Sequence, residues 1–165
     1  MPKIIIIRGS LGVGKSTISR KLAKELDAMY FSVDEILAKN KLDVIDFKIG
    51  CISEENFLKI NDLIIPEILE NMKKNKSAVI DGNFYHKRAI EHFLLKFNKK
   101  DVLVFTLKAN KDTCIKRDSQ REKPYGVVAA EAVYDLVSSF DYGTIILNED
   151  DNIDEKIKIM MNEIK

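Results

Sequence analysis

Strand-like and helix-like segments alternate along the whole of this 165-residue sequence and predict an α/β fold, a parallel sheet with helices on both faces. Three observations carry that expectation. Short, β-branched apolar runs recur along the chain. Segments with apolar residues three and four apart separate them. A glycine-rich turn joins the first run to the first helical stripe. The composition agrees: 45% hydrophobic residues supply a core, while 32% charged residues and only 7 Gly and 3 Pro exclude a disordered or collagen-like chain. The length predicts one domain, residues 1–165.

Taken in order, Lys3 to Arg8 is an isoleucine run closed by glycine, which predicts a strand buried on both faces. Ser16 to Leu26 places Ile18, Leu22 and Leu26 four apart, a helical stripe. Ala28 to Val33 reads as a second strand, and Ser77–Asp81, Val102–Leu107 and Thr144–Leu147 as three more. Helical patterns occupy about 53–75, 86–98, 110–121, 127–139 and 153–164. The connection over 34–76 is long enough for an added helical region at one end of the sheet, with Pro66 expected to kink or divide its helix.

Charge and cysteine content remove several classes of function. With 27 basic and 26 acidic side chains the net charge is +1, so a nucleic-acid partner is not indicated and an anionic membrane is not favoured. Cys51 and Cys114 lack the spacing of a disulfide framework or zinc site, and Cys114 reads as a small core residue. The apolar run Ile4–Ile7 is too short for a signal peptide or a membrane span, which predicts a soluble, cytoplasmic chain. Only five cations are arginines: Arg8, Arg20, Arg88, Arg117 and Arg121. Where lysine is the ordinary cation, each arginine marks a place for a planar, forked donor.

The strongest motif is Gly9-Ser10-Leu11-Gly12-Val13-Gly14-Lys15-Ser16, with Thr17 following. It satisfies G-x-x-x-x-G-K-[ST] between a buried strand and an amphipathic helix. Glycines let the backbone turn so that successive amides point inward and cradle a phosphate chain. The helix end adds its positive pole. Lys15 is expected to reach the β- and γ-phosphates and the Ser16 hydroxyl to bind Mg²⁺, so ATP and Mg²⁺ are the expected nucleotide and metal. Asn98-Lys99-Lys100-Asp101 satisfies N-K-x-D, the guanine-reading motif, but it precedes a strand instead of following one. A guanine-nucleotide switch is therefore not expected.

Ligands of a parallel sheet gather beyond the carboxyl ends of its strands. Asp34 follows the second strand and Asp81 ends the third, in Asp81-Gly82-Asn83. Phosphoryl transfer needs one group to order the metal and another to receive or orient the acceptor hydroxyl. Asp81 is assigned to the metal, and Asp34, Asn83 and Arg88 to the acceptor. Helix capping by Asp34 is the competing reading. Arg117 and Arg121, four apart before the break at Pro124 and Gly126, suit a lid over residues 117–128 that closes on the triphosphate. His86 is placed near the acceptor and His92 on a helix surface.

With these residues assembled, the sequence resembles a small P-loop kinase of the nucleoside monophosphate kinase-like superfamily. It is most similar to the branch with polynucleotide kinases, zeta-toxin-like kinases, and gluconate and shikimate kinases. The resemblance spans nearly the whole chain. It implies a three-layer α/β/α sandwich whose five parallel strands run in the order 2-3-1-4-5. It also implies that Asp34 binds or deprotonates the acceptor, that Arg117 and Arg121 contact ATP phosphates, and that the loop beginning Asn148-Glu149 borders the adenine. Asp81-Gly82-Asn83-Phe84 is similar to the Asp-Gly-Phe-Pro-Arg run of adenylate kinases but lacks its Pro-Arg, and residues 34–76 contain no arginine. The expected activity is transfer of the γ-phosphate of Mg·ATP to a hydroxyl of a small metabolite, a nucleoside or a 5′-hydroxyl nucleic acid end. A nucleoside monophosphate kinase and an ATP-binding or ATPase module without an acceptor are the alternatives.

Overall fold

The structure, a computed structural model, describes residues 1–165. Strand β1 (Ile4–Arg8) leads into helix α1 (Lys15–Glu25), then β2 (Met29–Ser32) and α2 (Val33–Lys39). A hairpin of β3 (Ile45–Asp46) and β4 (Cys51–Ile52) precedes α3 (Glu54–Lys73). The chain continues as β5 (Ala78–Gly82), α4 (Lys87–Lys96), β6 (Val102–Lys108), α5 (Lys111–Ser119), α6 (Val127–Ser138), β7 (Thr144–Leu147) and α7 (Ile153–Ile164).

The sheet runs β2-β5-β1-β6-β7, all parallel. Counting only its own strands, this is the order 2-3-1-4-5. Strand β1 is central, which explains its four isoleucines. Ile4 and Ile6 face one core and Ile5 and Ile7 the other, because side chains alternate across a strand. The first core is covered by α2, α3, α4 and the end of α6, and the second by α1, α5 and α7. Each isoleucine is fully buried, worth about 1.5–3 kcal/mol apiece.

Several boundaries depart from expectation. Strand β2 stops at Ser32, whose side chain accepts a hydrogen bond from the Glu35 amide and starts α2 at once. The capping role considered for Asp34 thus belongs to Ser32, and Asp34 stands in the first helical turn. Helix α3 passes unbroken through Pro66. Phe57, Ile60, Ile64, Ile65 and Ile68 are buried on both sides of that proline, and their packing outweighs one missing backbone donor. The β3–β4 hairpin was not foreseen, since two-residue strands carry no readable period. The Asn98–Asp101 segment forms a 3₁₀ turn before β6, with Asp101 paired to Lys3 at the amino edge of the sheet. No helix is long and apolar enough to cross a membrane.

Arg8 is buried at the carboxyl end of β1. Its guanidinium donates to Thr106 Oγ1 (3.2 Å) and to the carbonyls of Phe140 (3.1 Å) and Val137 (2.8 Å), and lies 4.2 Å from the centre of the Phe140 ring. Burial lowers its pKa to about 10, partly opposed by Asp141. The residue before the phosphate loop thereby grips the end of α6, a task that uses the arginine fork. Arg8→Ala removes these bonds and leaves a void. It is expected to cost about 3 kcal/mol or more in a urea titration.

Candidate active site

The carboxyl ends of β1, β2, β5 and β7 bring the candidate residues to one edge of the sheet. Gly12 and Gly14 adopt φ of +75° and +96°, which glycine accepts without a Cβ penalty. Space also demands glycine: a Cβ on Gly12 would lie 2.0 Å from the Cys114 carbonyl oxygen, and one on Gly14 would lie 2.6 Å from Asn148 Nδ2. The amides of Gly12, Gly14, Lys15, Ser16 and Thr17 have no acceptor within the protein, and no side chain caps α1. Unpaired amides at a helix start form an anion cradle. Lys15 is 3% exposed, with its Nζ donating to the Ser10 carbonyl at 3.3 Å. The Ser16 hydroxyl stands exposed in the first turn. Ser10 is buried and its hydroxyl donates to the Cys114 sulfur (3.4 Å), while Leu11 and Val13 are buried on the two sides of the loop.

Asp81, in register with Ile7 and Ser32, is 2% exposed. Its Oδ2 accepts from the Tyr30 hydroxyl (2.8 Å), while its Oδ1 is buried without a partner. Burial first, and then Asp81, push the Tyr30 phenol upward, so it remains a donor. An unpaired buried carboxylate oxygen beside a phosphate cradle fits Mg²⁺ or its water. No cluster of three or more His, Cys, Asp or Glu is present. One carboxylate and one hydroxyl are a donor set suited to Mg²⁺, which keeps waters and takes phosphate oxygens.

Beside the loop lies a cavity of about 250 Å³ lined by Leu11, Asp34, Asp43, Asn83, Tyr85 and Tyr125, with apolar walls from α2, the hairpin and α6. Val33 and Leu37 bury one face of α2, which turns Asp34 toward this space. The Asp34 pKa is raised. Burial is the main cause; Lys15 and Arg121 oppose it, and Asp81 adds to it. The charges of the phosphate loop and the opposite connection therefore reach Asp34.

Phe84 has φ +44° and is fully buried, packed near Phe57 and Phe93 (ring centres 6.3 and 6.4 Å apart). Left-handed backbone at a bulky residue costs about 1–2 kcal/mol. The reversal brings Asn83 and Tyr85 to the cavity. The Tyr85 hydroxyl accepts from the Ile52 amide (3.2 Å) and His86 Nε2 donates to the Ile52 carbonyl (2.8 Å). His86 thus fastens the hairpin and does not line the cavity. His92 sits half-buried between α3 and α4, 3.4 Å from Asp62.

Two of the expected site arginines have partners elsewhere in this structure. Arg88 is exposed and paired with Glu54 at 3.3 Å, outside the cavity; its position one residue into α4 directs it to the start of α3. Arg117 lies within α5, and its guanidinium donates to the carbonyls of Asn148 (2.7 Å) and Glu149 (3.2 Å) and pairs with Asp151 (2.8 Å). It holds the loop after β7, which Asn148 in turn ties to the phosphate loop. The connection between α5 and α6 is only residues 120–126, so of the pair only Arg121 stands in it. Its Nε is 3.5 Å from buried Asp118, and its guanidinium lies 5.6 Å from the centre of the Tyr125 ring. Asp118 Oδ2 accepts from the Gly126 amide (3.1 Å) and so fixes the far end of that connection. Asn148 is buried and donates to the Val13 carbonyl (2.8 Å), tying the β7 loop to the phosphate loop; its Oδ1 has no partner. Arg20 pairs with Glu35 on the surface.

Asp43, Tyr85 and Tyr125 were missed. Tyr85 follows Asn83 by two residues, in a run where His86 and Arg88 carry the more obvious chemistry. Asp43 and Tyr125 sit in irregular segments where no spacing marks them.

The glycine-rich loop lies at the carboxyl edge of a parallel sheet in the order 2-3-1-4-5, between a helical region and an arginine-bearing connection. Solved structures share that fold. A sugar kinase from Janibacter sp. HTCC2649 superposes with a TM-score of 0.76 at 12% identity, covering 98% of this chain and 94% of its own. A gluconokinase from Sinorhizobium meliloti 1021 gives 0.73 at 10% identity, covering 99% and 91%. A shikimate kinase from Bacteroides thetaiotaomicron gives 0.63 at 15% identity, covering 98% of each. No curated protein matches the sequence. Residues 5–133 match the AAA domain family, and the chain belongs to it.

Proposed function

We propose that this protein is an ATP-dependent phosphotransferase that phosphorylates a hydroxyl group of a small molecule. The observation that carries the reading is the position of Asp34. Its carboxylate lines a cavity bounded by Leu11 of the phosphate loop, close enough to Lys15 and Asp81 for their charges to act on its proton. A module that only bound or hydrolysed nucleotide would have no use for a carboxylate in a second, apolar-walled compartment.

The amides of Gly12, Gly14, Lys15, Ser16 and Thr17 and the Lys15 ammonium would hold the phosphate chain, and Ser16 with Asp81 would hold Mg²⁺. Bound Mg·ATP supplies the phosphoryl group and spreads its charge. Asn148 keeps the β7 loop against the phosphate loop, and Arg117 orders that loop from below. Arg121 is the cation placed to approach the transferred group when the connection closes and excludes water. Asp34 accepts the acceptor's hydroxyl proton as its oxygen bonds to the γ-phosphorus and the bridging bond of ATP breaks to release ADP. The fold shared with the sugar kinase and the gluconokinase supports the same reading.

The test is a coupled measurement of ADP formation from Mg·ATP with panels of nucleosides, sugars, hydroxy acids, nucleoside monophosphates and 5′-hydroxyl oligonucleotides, using Lys15→Ala as the blank. At least one hydroxyl compound is expected to raise the rate well above the acceptor-free rate. A slow rate unmoved by every compound would overturn the reading.

A further inference from the structure

We infer that the acceptor is an alcohol without an acidic group, with an apolar or aromatic ring face and with an amine as the favoured polar substituent. This rests on the phosphotransfer reading and names the substrate class of the same cavity. Of the twelve residues that line the cavity, none is Lys, Arg or His, and two are aspartates, Asp34 and Asp43. A carboxylate or phosphate brought here would meet like charge on both sides and no forked or ammonium donor, and such juxtaposition is strongly unfavourable.

The cations that approach the cavity are already committed. Lys15 is buried within the phosphate loop, and Arg121, near the Tyr125 ring, faces the buried Asp118. Both serve the phosphate side in the reading above. Arg88 is drawn away by Glu54. Nine of the twelve lining residues are apolar or aromatic, including Leu37, Ile45, Ile52 and Val133, which suit a flat, weakly hydrated body. Asn83 lines the cavity, and its Oδ1 is buried with its acceptor capacity unused. Tyr85 already receives the Ile52 amide and keeps its own proton to donate, since burial raises its pKa. Together these groups offer three acceptors (Asp34, Asp43 and Asn83) and no positive charge. Asp43 stands at the exposed rim and would pair with an ammonium.

The experiment uses pairs with and without an acidic group: adenosine against AMP, cytidine against CMP, and, as two ring sugars, glucosamine against glucuronate. The uncharged or amine member of a pair is expected to have kcat/KM on the order of tenfold higher or more. Asp43→Lys is expected to shrink or reverse that ratio, with its melting temperature as the control for folding. An acid that wins its pair, or a ratio unmoved by Asp43→Lys, overturns the inference and leaves phosphotransfer standing. ADP formation from no member of any pair counts against phosphotransfer itself. Calorimetric titration of the same pairs with a non-hydrolysable ATP analogue then decides the inference alone: tighter binding of the uncharged or amine member supports it, and tighter binding of the acid, or no selective binding, overturns it.

Discussion

Asp34→Asn is expected to slow turnover about 10²–10⁴-fold, the range of a lost general base, while ATP affinity stays near that of the parent protein. Asparagine keeps the size and a hydrogen-bonding oxygen but cannot take a proton. Ser32, not Asp34, caps α2, so the exchange leaves the helix start intact. The pH profile gives an independent check. Because burial raises the Asp34 pKa, the acidic limb of kcat/KM should lie above the ordinary carboxylate range. The parent loses activity as pH falls through that raised value, and the variant should lose the limb altogether.

Stability should move the other way. A carboxyl whose folded pKa is raised stabilises the fold below its unfolded pKa, and that contribution is lost as pH rises through the folded value. As pH rises from the unfolded value through the raised folded one, Asp34 therefore becomes a burden, despite the favourable helix N-terminus beneath it. Asp34→Asn is expected to melt higher than the parent at pH 7 and no higher at pH 3. A variant that is both active and unchanged in its melting behaviour would show that Asp34 is not the base.

Lys15→Ala is expected to reduce turnover about 10³-fold or more and to weaken ATP binding as well, measured by stopped coupled assays and calorimetry. The ammonium is almost wholly withdrawn from solvent, so its attraction for a phosphate chain is little screened. Its loss also removes the largest opposing influence on the Asp34 pKa. Any residual activity should therefore show an acidic limb displaced further upward. That coupling separates a loss of local electrostatics from a collapse of the loop.

Much of this molecule is legible in its sequence because the signals are local. The isoleucine run announces a strand buried on both faces, and the phosphate loop is contiguous, with its glycines spaced by the geometry of one turn. Asp34 and Asp81 could be found because strand ends in a parallel sheet face one edge. The arginines were less legible. Arg88 and Arg117 carry the right chemistry in nearby positions, yet one pairs with Glu54 and the other holds the loop after β7. Both partners are distant in sequence.

The sequence by itself therefore determined the strands and the phosphate loop, since each depends on residues within a few positions of one another. Tertiary structure alone decided which cations remain near the acceptor. It also decided which side chains wall the cavity, because the hairpin, the reversal at Phe84 and the connection before α6 meet only when the chain has folded. The strands follow from short-range periodicity; the cavity's walls are drawn from segments between Leu11 and Val133, and no short window of sequence contains them.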